Sequence, residues 1–185
     1  MSVKYKFRNP EGLYFVTFAT VNWVDVFTRN LYKNILIDSL NHCIEKKSLE
    51  LYAFVIMTNH VHLIVAKNGT EKLEHIMRDM KKFTAFEIIS AIMKNTQESR
   101  KEWLMEIFRN AGKANTQNTK HQFWQHDNHP IELATNEMIQ QRLDYIHNNP
   151  VEAGIVYEPH HYVYSSAAQY AGKDKGLLLP IKILN

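Results

Sequence analysis

The chain has 185 residues, 45% of them hydrophobic and 22% charged, with a net charge of +3. That is an ordinary globular composition with enough apolar side chains for a real core. Its apolar runs fall far short of the roughly 20 residues a membrane span needs, and its single cysteine, Cys43, excludes an internal disulfide.

The stretch MSVKYKFRNP has no apolar segment of the secretory kind, so the expected setting is cytoplasmic. The small excess of positive charge permits an anionic partner without demanding one. It is concentrated at Lys4, Lys6 and Arg8, at Arg78, Lys81 and Lys82, and at Lys173 and Lys175.

Residues 12–22, GLYFVTFATVN, are β-branched and aromatic with apolar side chains on both faces, which predicts a central strand. Residues 30–47 carry Leu31, Ile35, Ile37, Leu40 and Ile44 near helical spacing. Residues 49–57 and 60–67 are two short β-rich runs split by Thr58 and Asn59, the pattern of an antiparallel hairpin. Helical periodicity returns over 71–94 and again over 97–110. Residues 111–122 have few apolar side chains and read as a loop, after which FWQHD, 123–127, is expected to re-enter the sheet. Residues 135–150 form a helix with Thr135 or Asn136 at its N-cap and a stop at Pro150. The remainder is short and Tyr-rich.

Helices alternating with a mostly antiparallel sheet predict an α+β, ferredoxin-like sandwich. One domain over 1–185 is expected, with a helical and loop insertion near 97–122 and a short tail near 160–185.

Two stretches carry chemistry. In MTNHVHLIV, His60 and His62 are i and i+2 on a strand, so they share a face with their Cβ atoms about 7 Å apart. Such a pair suits either histidines satisfied within a core or two ligands of one ion. A catalytic ion needs a third protein ligand and open positions. No Cys-x-x-Cys, HExxH or Gly-rich phosphate cradle is present. In LDYIHNNPVEAGIV, Tyr145 and Asn149 are i and i+4 and lie on one helix face. Tyr145 sits about 120° from the stripe of Ile139, Leu143 and Ile146, at the edge of the packed face. Taken alone, the stretch reads first as a tyrosine covering the core and an Asn149 that closes the helix before Pro150.

MTNHVHLIV resembles the HUH motif, and DYIHNNPVEAGIV is similar to the tyrosine-bearing segment of single-tyrosine HUH transposases. The closest likeness is to the REP-associated tyrosine transposase branch. KKFTAFEI, FWQHD and YSSAAQY also look like family segments, in the family's order, so the resemblance spans about residues 10–172. Thr58 stands where many members have Pro, and residues 111–122 do not align.

The resemblance implies that His60 and His62 are metal ligands, Asn149 the third and weaker ligand, and Tyr145 the nucleophile. A mixed N/O set of this kind suits Mg²⁺ or Mn²⁺. The implied activity is that of a DNA-nicking and strand-transferring transposase with a 5′-phosphotyrosine intermediate. It would act on single-stranded DNA beside hairpin repeats, in the bacterial cytoplasm near the nucleoid, as a monomer or homodimer. Arg78, Lys81 and Lys82 are then candidate phosphate contacts. Trp124, and with it Phe123 and Tyr164, are candidate stacking platforms for unpaired bases. A hairpin-binding protein without turnover, built on the same scaffold, is the alternative.

Overall fold

The computed structural model describes residues 7–114, 120–126, 129–173 and 178–184; Lys4, Lys6, Asp127 and Lys175 lie outside these. In chain order the elements are β1 (Tyr14–Ala19), α1 (Asn30–Lys47), β2 (Leu49–Ile56), β3 (His60–Lys67), α2 (Leu73–Lys94), α3 (Lys101–Lys113), β4 (Ile131–Glu132), α4 (Asn136–Glu152) and α5 (Ala167–Tyr170). The four strands form one antiparallel sheet in the order β2-β3-β1-β4. Split β-α-β units in that order give the ferredoxin-like arrangement. Among the described residues no helix is long and apolar enough to cross a membrane.

β3 lies between β2 and β1, and from Val61 to Ala66 every side chain is buried. A strand covered on both faces needs apolar residues at every position, which is why its two histidines stand out. The register sets His62 opposite Thr17 on one side and Val55 on the other, with His60 opposite Ala19. Cross-strand partners share a face, so Phe15, Thr17, His60 and His62 look the same way. Arg142 and Tyr145 of α4 lie against Phe15 on that face. Phe18 points to the other face, where Lys81 of α2 sits over its ring.

The tip of the β2–β3 hairpin is clamped by the chain leaving β1. Phe27 N–H donates to the Thr58 carbonyl, and Thr20 N–H and Oγ1 both donate to the Asn59 carbonyl. What holds the tip at Thr58 is its carbonyl, which proline also possesses, so threonine there leaves the clamp intact.

Three expectations need correction. Pro150 does not stop α4, which runs on to Glu152. In the last turn a proline removes only one i→i−4 hydrogen bond. The helix ends instead at Gly154, at φ +69°. There Ile155 N–H donates to the Pro150 carbonyl and Gly154 N–H to that of Val151, the paired bonds of a Schellman cap. Residues 123–125 return beside the end of β1, through an isolated bridge of Thr20 with Trp124 and a Gln125 N–H bond to the Ala19 carbonyl, but form no strand of the sheet. The fourth strand is the two-residue β4, beside Tyr14 and Phe15. The helix expected over 97–110 begins at Lys101 and reaches Lys113, inside the expected loop.

The residues just before α3 are pinned by Glu98, whose side chain is fully buried. Its carboxylate accepts from Arg29 Nε (2.9 Å), Arg100 Nε (3.1 Å) and Tyr32 Oη (3.2 Å). Burial pushes its pKa up, but the Arg100 and Arg29 hydrogen bonds prevail and bring it from 4.5 down to about 2. A depressed carboxylate stabilises the fold above its unfolded pKa and loses that contribution as pH falls through the folded one. Stability should therefore drop between about pH 4.5 and pH 2, by on the order of 3 kcal/mol. In Glu98→Gln, chemical denaturation should show a lower stability at pH 7 and a flatter decline over that acid range. An unchanged acid profile would remove Glu98 as its source.

Candidate metal and nucleophile site

His60 opens β3 and is half-buried; His62 is 4% exposed. Their rings stand edge to face, centroids 4.7 Å apart. The Nδ1 atom of each ring is engaged. His60 Nδ1 pairs with Asn59 Oδ1 at 2.7 Å, while Asn59 Nδ2 donates to the Trp23 carbonyl at 3.1 Å. The second bond orients the amide, so its oxygen faces the histidine and Nδ1 carries the proton. His60 Nε2 is then an acceptor. His62 Nδ1 pairs with Thr17 Oγ1 at 2.8 Å. His62 Nε2 is buried and has no hydrogen-bond partner. An orphaned buried nitrogen is rare in a folded protein and calls for an explanation.

Electrostatics keep the pair uncharged. Burial lowers the His62 pKa to about 3, helped by His60 and by the Arg142 cation. Burial also lowers that of His60, opposed by a hydrogen bond with the Asn149 side chain. Neutral imidazole is the form that binds metal.

α4 brings the rest. Its Tyr145 ring packs at 5.1 Å from His62 and 6.1 Å from Phe15, and the residue remains 38% exposed. One turn on, Asn149 meets His60. Leu143, Ile146 and Pro150 are buried on the inner side of α4 and fix its rotation. Tyr145 and Asn149, i and i+4, therefore arrive together. Among the described residues no group of three His, Cys, Asp or Glu side chains is placed to hold an ion. The Asn149 side chain, hydrogen-bonded with His60, is a further polar donor group beside the two imidazoles. Two neutral imidazoles with their Nδ1 atoms tied, one buried nitrogen without a partner and an adjacent amide form a donor set that fits a divalent cation.

The basic residues lie elsewhere. Arg78, Lys81 and Lys82 line a cavity of about 780 Å³ between α2 and residues 120–126. It belongs to the face of the sheet that holds Phe18 and Lys81, opposite the histidines. Lys81 Nζ also donates to the Gln125 carbonyl at 2.9 Å. Trp124 lines the same cavity but offers little open surface for stacking. Trp124 is 5% exposed, stacked on Phe27 at 5.7 Å, with Nε1 donating to Thr84 Oγ1. Phe123 and Tyr164 are buried as well.

Three residues of the site escaped sequence reasoning: Thr17, Asn59 and Arg142. Arg142, with its guanidinium 4.9 Å from the Phe15 ring centre, is i−3 from Tyr145, a spacing that could have found it. Thr17 and Asn59 depend on strand register and turn geometry, which no local pattern encodes.

Residues 12–108 match the family described as Transposase IS200 like, a span that takes in His60 and His62 and stops before α4. No curated protein matches the chain. Among solved structures, it is similar to a REP-associated tyrosine transposase bound to a REP hairpin, at TM-score 0.65 and 17% identity, over 100% of this chain and 92% of that one. It is also similar to a Deinococcus radiodurans R1 protein assigned as a transposase, at TM-score 0.47 and 18% identity, over 80% of this chain and 97% of that one. The first likeness is one of fold, and it agrees with the sheet order and the helices packed on it. With the family match covering more than half of its length, the chain belongs to the IS200-like transposase family.

Proposed function

We propose that this protein is a metal-dependent single-stranded DNA endonuclease and strand transferase that acts beside DNA hairpins through a 5′-phosphotyrosine at Tyr145. The observation that carries the reading is the partnerless, buried His62 Nε2 with the Tyr145 ring 5.1 Å away. A core histidine pair has no use for an orphan nitrogen beside a half-open tyrosine. All four groups, His60, His62, Tyr145 and Asn149, come from one copy of the chain, so the reading requires no second protomer. The hairpin is carried over from the structural relative, which is bound to one.

Bound by His60, His62 and the Asn149 oxygen, Mg²⁺ or Mn²⁺ would supply Lewis-acid polarisation of the scissile phosphate. Asn59 and Thr17 hold the imidazoles in the ligating orientation, the usual task of outer hydrogen bonds. Arg142 adds a fixed positive charge beside the anionic substrate. The Tyr145 oxygen attacks phosphorus, the P–O3′ bond breaks, and the 3′-oxygen leaves and takes up a proton. The phenolic proton passes to solvent, which reaches the exposed edge of the ring. One phosphodiester replaces another, so a new 3′-hydroxyl can reverse the step and join strands. Hydrolysis would discard that bond. Because burial lowers the pKa of both histidines, protons should compete with metal only below the pH 6.5 of a free imidazole.

The test is to mix the protein with Mn²⁺ and labelled single-stranded DNA carrying a hairpin, then denature. A covalent adduct that forms with metal and disappears with chelator is the expected result. Absence of any adduct, with hairpin binding indifferent to chelator, would leave only the non-catalytic binder.

Arg78, Lys81 and Lys82 would hold the DNA backbone in the basic cavity. For single strands the slope of log K against log salt changes by about 0.7 per phosphate neutralised. Arg78→Ala and Lys82→Ala should each flatten the slope by about that amount and weaken binding to all sequences alike. A slope equal to that of the parent would take that residue off the DNA path.

A further inference from the structure

Trp23 stands out among the exposed aromatic residues because it touches the candidate site. It is 53% exposed, and its ring lies edge-on to His60, with centroids 5.7 Å apart. Asn22 and Trp23 are consecutive residues at φ 55° and 52°. Asparagine tolerates the left-handed region, but a bulky aromatic residue there is an outlier. Glycine would take that φ without strain. The chain instead places one of its largest side chains at this point and leaves half of it in water, so packing does not compensate for the conformation. Backbone strain next to a functional site points to a functional constraint.

The turn is well anchored. Trp23 N–H donates to the Thr20 carbonyl, and the Trp23 carbonyl accepts from Asn59 Nδ2. The same Asn59 amide holds His60, so one side chain fixes both the tryptophan backbone and the first histidine. On its other side the turn is tied to the wall of the basic cavity. Val21 N–H donates to the Phe123 carbonyl, and Gln125 Nε2 donates to the Thr20 carbonyl. The turn therefore sits at the end of the sheet, past the close of β1 and beside the start of β3, between the basic cavity on one face and the histidines on the other. A strand held in the first and cut at the second would cross this end of the sheet beside the half-exposed Trp23.

We infer that Trp23 is a positioning residue that stacks on an unpaired DNA base next to the scissile phosphate and fixes the strand against His60. The inference rests on the proposed reaction at His60, His62 and Tyr145. It adds a residue outside the ligand and nucleophile set, with a ligand class of its own: the π-face of a nucleobase. Stacking on an aromatic side chain tolerates any base, so Trp23 would set the position of the strand without reading its sequence.

The experiment uses the full chain and a DNA hairpin with a single-stranded flank of randomised sequence. The flank carries one 2-aminopurine at each position in turn. Without metal, so that no chemistry intervenes, the parent protein should quench fluorescence at one flank position. Trp23→Phe should retain most of that quench. Trp23→Gly should abolish it and weaken binding about tenfold or more, while its melting temperature stays level or rises because the left-handed strain is relieved. In the metal-dependent reaction its KM should rise with little change in the rate at saturating DNA. No quench at any position with the parent protein, or parental quench and affinity in Trp23→Gly, would overturn the inference. So would a Trp23→Phe protein as impaired as Trp23→Gly and less stable than the parent, which marks a structural role. Quenching that depends on Trp23 without any adduct in Mn²⁺ would count against the proposed reaction alone. Adduct formation with an unaltered KM in Trp23→Gly would count against Trp23 alone.

Discussion

Replacing Tyr145 by phenylalanine should abolish the covalent DNA adduct while leaving the fold, metal binding and hairpin affinity close to those of the parent. The phenyl ring keeps the contacts with His62 and Phe15. Tyr145 is partly exposed, so removing its hydroxyl leaves no buried group unsatisfied. A surface change of that kind is within about 0.5 kcal/mol of neutral. The chemistry has no such tolerance. Loss of a nucleophile from a set that acts as a unit costs roughly 10³-fold or more in rate, and here the bond to be formed has no atom to form it. The measurement is adduct yield on a denaturing gel, with metal affinity and melting temperature as controls. Metal-dependent cleavage that persists in Tyr145→Phe and releases free 5′-phosphate would make the protein a water-using phosphodiesterase. An adduct that persists would place the nucleophile elsewhere, and the almost fully exposed Tyr157 would be the next residue to replace.

Long-period signals were legible from the residues alone. α1 spans 30–47 and β3 spans 60–67, the bounds expected from periodicity and from the apolar run between turn residues. The α+β sandwich follows from the same alternation. What escaped was set by contacts distant in sequence. Two residues, Ile131 and Glu132, cannot show an alternating pattern, yet they complete the sheet because β1 offers them Phe15 and Tyr14. Trp124 looks like a surface aromatic within FWQHD, but it is buried because Phe18, Phe27 and Phe123 surround it. Pro150 reads as a stop, whereas the helix waits for Gly154 to take the left-handed turn.

The candidate site divides in the same way. The shared face of His60 and His62, and that of Tyr145 and Asn149, follow from the strand and helix periods. The approach of those two faces follows from Leu143 and Ile146 packing α4 onto the sheet. The separation of Arg78, Lys81 and Lys82 onto the opposite face is a property of the sandwich, and the linear order conceals it. That separation has a mechanical consequence. On the proposed reading, a DNA strand gripped at these residues and cut at Tyr145 would have to pass from one face of the sheet to the other, and the turn after β1 that carries Trp23 lies between them.

His62→Phe should eliminate both metal binding and the adduct while making the metal-free protein no less stable than the parent. A histidine that served only the core would give the opposite result, since its loss would then be felt as destabilisation. The reasoning starts from the partnerless Nε2. A buried polar atom without a hydrogen bond costs about 1–3 kcal/mol. Phenylalanine removes that cost and keeps the stack on Phe15, whose ring centre is 5.2 Å from that of His62; its ring is one atom larger, and the side of the ring that grows is the one where Nε2 has no partner. Against this stands the loss of the Thr17 hydrogen bond; Thr17 is only half-buried and can turn its hydroxyl to water. The balance is a melting temperature equal to the parent's or a few degrees higher. Metal then discriminates between the two proteins. An ion at about 100 times its Kd stabilises the parent by roughly 2.7 kcal/mol, a rise of roughly 5–10 °C for a domain of this size. The variant should show no rise with Mn²⁺ or Mg²⁺, because one imidazole and one amide are too few donors to hold the ion. Equal metal-induced shifts in the two proteins would remove His62 from the ligand set. A variant that melts well below the parent without metal would mean that His62 serves the core.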